Sequence, residues 1–367
     1  MALAACPRLS PGRDPNGSHA TGAGPGTGVA AGLRTIVTAR TEEKKDPNTG
    51  RHLPASFFGI VLGLAGMGGA WRAAHRVWGL PADIGEGLFV IAAAVWAVLV
   101  ILYARKWVVA PEQARAELRQ PILCCYVGLV GVATMLIAGA ALPHSRALGL
   151  VLLALGGAYT LAFGVWRTGG LWQGGREPAD TTPVLYLPTV AGSFVLAAVT
   201  SAAGFPDAAQ YAFGAGLFSW LAIESVLIHR LYTSPGLALA LRPALGIQLA
   251  PATVGTVAYL SVTHGDPGLV AHALLGYGVL QALVLLRLWR WIRQQPFGAS
   301  YWAFSFGVSA LATSPLRLIE RGDAGMVTIL APCLFVGANL FVGWLIVGTV
   351  ARLFQGQLVA RPAPSTP

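Results

Sequence analysis

The chain has 367 residues, of which 55% are hydrophobic and 11% are charged. An ordinary soluble domain carries roughly 25% charged residues, so this composition excludes a soluble protein. The high hydrophobicity excludes a disordered chain. A membrane protein is the class that remains, and its formal net charge of +10 favours anions over cations in the surrounding field.

The first 50 residues differ from the rest of the chain. Pro, Gly, Ser and Thr interrupt any periodicity there, and the charged run EEKKD lies close to the end of this region. These features predict that residues 1–50 form a disordered cytoplasmic tail. We expect residues 51–358 to form one transmembrane domain and residues 359–367 to form a short C-terminal tail.

Beyond residue 51, charged residues are spaced so that long uncharged stretches lie between them. A spanning helix needs about 20 mostly apolar residues, and the stretches lack the alternation of a membrane barrel. The sequence therefore predicts an all-α membrane protein with ten transmembrane helices. The ten stretches are 52–71, 87–104, 120–145, 147–166, 181–206, 208–229 (interrupted by Glu224), 243–265, 267–286, 294–316 and 324–351.

The basic residues predict the orientation of these helices. All but five of the 25 Lys and Arg residues fall on the side that holds both termini, and basic residues concentrate on the cytoplasmic side of membrane proteins. We therefore expect a multi-pass membrane protein with both termini cytoplasmic. The positive charge lies between apolar spans, so the lipid bilayer rather than nucleic acid is the expected partner. The five residues on the other side are Arg72, Arg76, Arg146, Arg317 and Arg321.

The odd-numbered predicted helices share a residue type that bends or closely packs helices. Each carries a helix-bending Gly or Pro near its middle, and the positions chosen here recur at a loose interval, which is typical of an internal repeat. The pattern predicts five hairpins with the odd helices inside, where Pro kinks could leave an axial pore. The second helix is apolar all round and suits a lipid-facing position. The candidate kink and pore-lining positions are Gly63, Gly131, Pro188, Pro251 and Gly307.

Glu224 is the one acidic residue inside a predicted span. A buried charge at mid-membrane is kept for a function, so one interpretation is a protonation site. The alternative is a carboxylate that snorkels to the cytoplasmic surface or pairs with Arg230 or Arg287. The alternative carries more weight, because Glu224 lies close to the end of its helix.

No motif for enzymatic chemistry is present. The sequence contains no HExxH, GxSxG, Walker or Rossmann pattern. Its cysteines form no CxxC pair, so neither a disulfide framework nor a zinc site is indicated. We therefore predict no enzyme activity, no metal and no cofactor. The four cysteines are Cys6, Cys124, Cys125 and Cys333.

Six short motifs resemble one known family in order and spacing. They are LPASFFGI at 53–60, LWQGG at 171–175, YLP at 186–188, LAP at 249–251, GYG at 276–278 and WAFSFG at 302–307. The chain from about 53 to 358 is similar to the tellurite-resistance/dicarboxylate transporter family, whose relatives include plant slow anion channels. One position departs from the family pattern, since Gly131 stands where members often carry Pro.

The resemblance implies five hairpins around a quasi-fivefold central pore, lined by the odd helices, in a homotrimer. It implies that a Phe of the ninth helix, Phe306 by motif position, blocks the pore. The implied function is a passive anion channel for small inorganic or organic anions. The alternative is a proton-coupled transporter of C4-dicarboxylates or of an oxyanion such as tellurite or sulfite, in which Glu224 titrates.

Overall fold

A computed structural model describes residues 53–357, and this part of the chain contains helices and no strand. The predicted tails, 1–50 and 359–367, lie outside the described residues. The main helical segments are α1 (Ala55–Trp78), α2 (Ala82–Val109), α3 (Pro111–Arg119), α4 (Leu123–Ala141), α5 (Arg146–Trp172), α6 (Pro183–Ala202), α7 (Pro206–Thr233), α8 (Leu239–Val262), α9 (Gly268–Ile292), α10 (Ser305–Glu320) and α11 (Val327–Phe354).

Nine of these segments, all except α3 and α10, are long and apolar enough to cross a membrane. They correspond to nine of the ten predicted stretches. The remaining stretch, 294–316, forms a 3-10 turn, Ala299–Phe304, followed by the 16-residue α10. It is not among the nine because α10 is less apolar than they are: it carries Ser305, Ser309, Thr313 and Ser314 and extends past the uncharged stretch to Arg317 and Glu320.

The short helix α3 is not among the predicted elements. It is polar and begins with Pro111 in its first turn, a position that proline favours. Its Glu117 is buried and accepts hydrogen bonds from the backbone N–H of Ala55 at 2.8 Å and from Lys106 Nζ at 2.6 Å. The carboxylate therefore ties α3 to the end of α2 and to the first residue of α1, where an acid also suits the helix dipole.

Burial divides the spans into an inner and an outer set. In the most apolar part of α1, α4, α6 and α8, 67% to 78% of the residues are buried, against 17% to 44% in α2, α5, α7, α9 and α11. Most residues of α10 are buried as well. We call α1, α4, α6, α8 and α10 the inner segments and the other five spans the outer segments.

The inner segments contact one another in a closed order. Segment α1 packs against α4, α4 against α6, α6 against α8, α8 against α10, and α10 against α1. Each inner segment also packs against the outer segment that follows it in the chain. Residues from the N-terminal parts of all five inner segments line one cavity, so these N-termini lie at the same end of the bundle.

Candidate functional site

The larger of two central cavities lies at the N-terminal ends of the inner segments. It has a volume of about 210 Å³, and all five inner segments contribute to its wall. Every residue that lines it is uncharged. Representative lining residues, one from each segment in chain order, are Gly59, Tyr126, Tyr186, Pro251 and Phe306.

The second cavity lies towards the C-terminal ends of the same segments. It has a volume of about 170 Å³, and its lining residues are also uncharged. They include Gly66, Leu136, Val199, Val257 and Thr313, again one from each inner segment. The two cavities therefore follow one another along the centre of the inner bundle.

Three side chains, Phe194, Val254 and Phe306, line both cavities, and we call them the neck. The Phe194 ring is fully buried, and its atoms lie 2.8 Å and 3.2 Å from the points where a Cβ would stand on Gly216 and Gly255. Glycines on both sides thus allow this ring to fit tightly. Phe306 is the most exposed of the three, at 9%, and lies where the two cavities meet.

The two prolines of the predicted kink set lie at irregular turns. Pro188 belongs to a π-helical turn, Leu187–Ala191, in α6. Pro251 lies in the first turn of the α-helix Ala250–Val262, where the preceding 3-10 helix of α8 ends. Pro251 lines the larger cavity, whereas Pro188 lines a separate groove beside α5 and α7.

The three glycines of that set lie at close helix contacts outside the walls of both cavities. A Cβ on Gly63 would stand 2.5 Å from Ser305 Cβ, and one on Gly307 would stand 3.0 Å from the backbone N of Ala250. A Cβ on Gly131 would stand 2.8 Å from a backbone oxygen of α5. The interruption of α4 falls at Gly128 instead. These glycines therefore allow close packing of the segments.

Glu224 of α7 lies at the centre of a polar cluster. Its carboxylate accepts hydrogen bonds from Tyr186 Oη, from Trp220 Nε1 at 2.9 Å, from Gln248 Nε2 at 3.0 Å and from Tyr277 Oη at 2.5 Å. All four donors are uncharged, so the structure does not show the alternative in which Glu224 pairs with an arginine. The cluster joins α6, α7, α8 and α9.

The Glu224 cluster reaches the wall of the larger cavity. Tyr186 donates to Glu224 and also lines that cavity. The amide nitrogen of Gln248 donates to Tyr186 Oη at 3.1 Å as well as to the carboxylate, while Gln248 Oε1 is buried without a partner among the described residues. A change in the protonation of Glu224 would therefore act on a residue of the cavity wall.

Sequence reasoning identified Glu224 and Phe306 but missed the residues that position them. Gln248 and Tyr277 are polar residues inside predicted spans, and this signal could have marked them as partners of a buried acid. Phe194 and Val254 carry no such signal, because Phe and Val are common in any membrane helix. Their place at the neck follows from the packing of five segments around one axis.

Electrostatic features at both ends of the bundle favour anions. The inner N-termini surround the larger cavity, and helix N-termini carry partial positive charge. At the opposite end, Arg146 donates to the carbonyl of Ala203 at 3.0 Å. Arg72 donates to the carbonyl of Ala140 at 3.1 Å, but its charge is paired with Glu86 at 2.6 Å. Arg72 also lies 4.1 Å from the ring centroid of Phe89, which lines the second cavity.

Residues 52–350 match the SLAC1 family, described as voltage-dependent anion channels. The chain belongs to the SLAC1 family. It is therefore a multi-pass membrane protein from a family of channels and transporters rather than enzymes, and it is a homologue of anion channels.

Known relatives of the SLAC1 family align over most of the chain. A tellurite resistance protein TehA homolog from Haemophilus influenzae is 36% identical over 84% of this chain and 93% of its own length. The S-type anion channel SLAH3 of Arabidopsis thaliana is 25% identical over 85% of this chain and 50% of its own length. An uncharacterized transporter from Methanocaldococcus jannaschii is 22% identical over 84% of this chain and 97% of its own length.

Proposed function

We propose that the protein is a passive anion channel of the cell membrane. The observation that carries this proposal is the pair of uncharged cavities that meet at Phe306 in the centre of the inner bundle. Anions enter one cavity, pass the neck and leave through the other. Membership of the SLAC1 family supports the choice of an ion pathway over a ligand-binding pocket.

The pathway requires a complete wall, and we propose that ten helices provide it as five hairpins around a quasi-fivefold axis. The closed order of contacts among the inner segments supports this arrangement. The short segment α10 then serves as the ninth helix and pairs with α11. It needs less apolar length than the outer segments because its surface faces protein rather than lipid.

Selectivity for anions comes from dipoles and distant charges. Each inner N-terminus contributes about half a positive elementary charge at the mouth of the larger cavity. At the other mouth, Arg146 donates to the carbonyl of Ala203 near the end of α6 and forms no salt bridge among the described residues, so its positive charge remains; the charge of Arg72 is paired with Glu86. Because no charged side chain lines either cavity, an anion is attracted without being held by a tight counter-charge, which permits fast passage.

Phe306 is the gate in this proposal. Its ring narrows an apolar neck, and hydrophobic constrictions of this kind stop ions by excluding water. Among the neck residues it has the most freedom to move, since Phe194 is enclosed by Gly216 and Gly255. Rotation of the Phe306 ring would join the two cavities into one lumen.

A flux assay tests the proposed function. The purified full-length protein is reconstituted into liposomes loaded with chloride, nitrate or malate, and efflux is followed with and without a proton gradient. A channel predicts efflux that follows the electrochemical gradient of the anion and is unchanged when a protonophore dissipates the proton gradient. Efflux that stops with the protonophore contradicts passive conduction.

Proton-coupled transport of a C4-dicarboxylate or an oxyanion is the second candidate, and the Glu224 cluster supports it. A charged Glu224 accepts from Gln248 Nε2. If Glu224 took up a proton, rotation of the Gln248 amide by half a turn would present the unpartnered Oε1 as its acceptor, since the two ends of an amide are nearly equal in shape. Uptake of labelled malate that collapses with the proton gradient and loses its coupling in Glu224→Gln would establish this function.

We further propose that the protein lies in the inner membrane of a bacterium with both termini cytoplasmic. We also propose that it forms a homotrimer with one pore in each subunit. The distribution of basic residues supports the orientation. The trimer rests on the resemblance to the family. The mass of the detergent-solubilised protein, corrected for bound detergent, distinguishes a trimer from a monomer.

A further inference from the structure

Buried polar groups without partners concentrate in the connection between α5 and α6. Among the described residues, eight side-chain N or O atoms are buried and unpartnered, and four of them belong to Arg167, Arg176 and Thr182. The four are Nε of both arginines, Nη1 of Arg176 and Oγ1 of Thr182. Buried polar groups are normally satisfied, so such a concentration calls for partners that the described residues do not supply.

The two arginines already use their other N–H groups within the chain. Arg167 Nη2 donates to the carbonyl of Pro121 at 3.0 Å, and Arg176 Nη2 donates to the carbonyl of Asp180. These bonds fix both guanidinium groups. Gly174 and Gly175, with φ values of 82° and 74°, reverse the chain after α5 in a conformation that glycine adopts readily.

The charges of these arginines are not neutralised by an acidic side chain within the described residues. Neither Arg167 nor Arg176 takes part in any salt bridge there. Burial lowers the pKa of Arg176. The thiol of Cys125 and the carboxylate of Asp180 offset this in part, and the positive charge of Arg167 nearby lowers the pKa further. A guanidinium nevertheless stays protonated in proteins, so the pair is stabilised most effectively by an anion that accepts from the unpartnered N–H groups.

A groove of about 410 Å³ adjoins Arg176, between α5, α6 and α7. Its volume lies within the range of roughly 300–1,000 Å³ that is usual for ligand pockets. The end near the connection is polar, with Arg176 and Thr181, and the wall formed by α7 is largely apolar, with Ile223 and Val226. Trp172 stands at its rim with 87% of its surface exposed.

We propose that this groove binds one anionic phospholipid, with its phosphate on Arg176 and an acyl chain along Ile223 and Val226. Arginine pairs well with phosphate because its planar fork can donate two parallel hydrogen bonds. Basic pockets between membrane helices are suited to anionic headgroups. An apolar wall beside the basic end favours a lipid over a free inorganic anion, which needs no such surface.

The bound lipid would act on the turn that forms part of the cavity wall. Pro188 and Thr189 line the groove, while Leu187 and Val190 of the same π-helical turn line the larger central cavity. Occupancy of the groove therefore stabilises one position of this wall. Lipid binding does not depend on the proposed channel function, but its effect on anion flux rests on that function.

Native mass spectrometry and thermal unfolding test the proposal on the full-length protein after delipidation. The probes are phosphatidylglycerol, phosphatidylcholine and inorganic phosphate. We expect phosphatidylglycerol to bind at least tenfold more tightly than phosphatidylcholine and to raise the Tm. Arg176→Gln should lose at least tenfold in affinity for phosphatidylglycerol, whereas Arg290→Gln, a change of an exposed arginine at the same end of the bundle, should bind like the wild type.

Three results would overturn the proposal. The first is equal binding of both lipids, or wild-type binding by Arg176→Gln. The second is inorganic phosphate that stabilises the delipidated protein as strongly as the lipid does, which would assign the arginines to a free anion. The third is a lipid-free oligomer that dissociates in Arg176→Gln, which would assign the groove to a second copy of the chain.

Arg176→Lys serves if Arg176→Gln fails to fold, because lysine retains the charge without the planar fork of arginine. This variant should bind phosphatidylglycerol more weakly than the wild type, and unchanged binding would likewise overturn the proposal.

The failure of the proposed function would remain distinguishable from the failure of the lipid site. Selective binding of phosphatidylglycerol with no anion flux in any lipid would preserve the site and refute the channel. Flux that is equal in phosphatidylglycerol and phosphatidylcholine liposomes, together with equal binding, would refute the site and preserve the channel.

Discussion

Replacing Phe306 by alanine removes the ring from the neck between the two cavities. The cavities of about 210 Å³ and 170 Å³ share the side chains of Phe194, Val254 and Phe306. Without the Phe306 ring, the larger cavity and the second cavity join beside Gly66, the α1 glycine nearest to that ring. We therefore expect a continuous lumen in place of two separated spaces.

The size of the effect follows from the dehydration of the ion. Removing an ion from water costs several kcal/mol even after the protein relaxes. If the wider neck restores enough hydration to lower the barrier by about 1.4 kcal/mol, passage becomes tenfold faster. We therefore expect chloride flux through Phe306→Ala to exceed that of the wild type by at least a factor of ten.

The same variant should remain folded. A buried Phe→Ala change lowers the free energy of unfolding by about 3–5 kcal/mol in a filled core, and we expect a smaller loss here because cavities adjoin the ring.

Phe304→Ala provides the matched control. Phe304 lies two residues earlier, is 4% exposed and packs against Trp289 and Phe341, with ring centroids 5.9 Å and 5.7 Å apart. It does not line either central cavity. Both variants are compared with the wild type by chloride efflux from liposomes at equal protein density. Equal flux in Phe306→Ala and the wild type, or an equal increase in Phe304→Ala, would refute the assignment of the gate.

Two further predictions concern buried charges. Glu224→Ala should lower chloride flux, because the cavity residue Tyr186 donates to this carboxylate and would lose its fixed position; flux equal to that of the wild type would contradict this. Lys106→Met should lower the stability by about 3–5 kcal/mol, because it leaves the buried Glu117 without its counter-charge. The double variant Lys106→Met/Glu117→Gln should regain most of the loss in Tm, measured in detergent. A double variant no more stable than Lys106→Met would argue against the ion pair.

The sequence predicts the spans well because apolar length is a direct requirement of the bilayer. Nine of the ten stretches form segments with the necessary length and hydropathy. The stretch 294–316 differs, because α10 carries the polar residues Ser305, Ser309, Thr313 and Ser314, which lower its hydropathy although it has no charge before Arg317. Hydropathy also does not reveal that α10 continues through Arg317 to Glu320, where Arg76 and Arg317 pair with the Glu320 carboxylate.

The candidate site was harder to predict because its contacts join distant parts of the chain. Glu224 is visible in the sequence as an acid in an apolar span, but its partners Gln248 and Tyr277 lie on other segments. The sequence indicates Arg230 or Arg287 as the partner instead, because a buried acid is normally paired with a basic residue. Lys106 and Glu117 likewise read as surface charges, and only the packing of α3 under the start of α1 brings them together in a buried pair.

The reversal potential of the current through Phe306→Ala tests passive anion passage most directly. The purified variant is placed in a planar bilayer with a tenfold KCl gradient and no pH gradient. A passive anion pathway predicts a current that reverses near the chloride equilibrium potential, about 59 mV in magnitude for a tenfold gradient of a monovalent ion. A current that reverses at the potassium potential, or no current above that of Phe304→Ala, would contradict it.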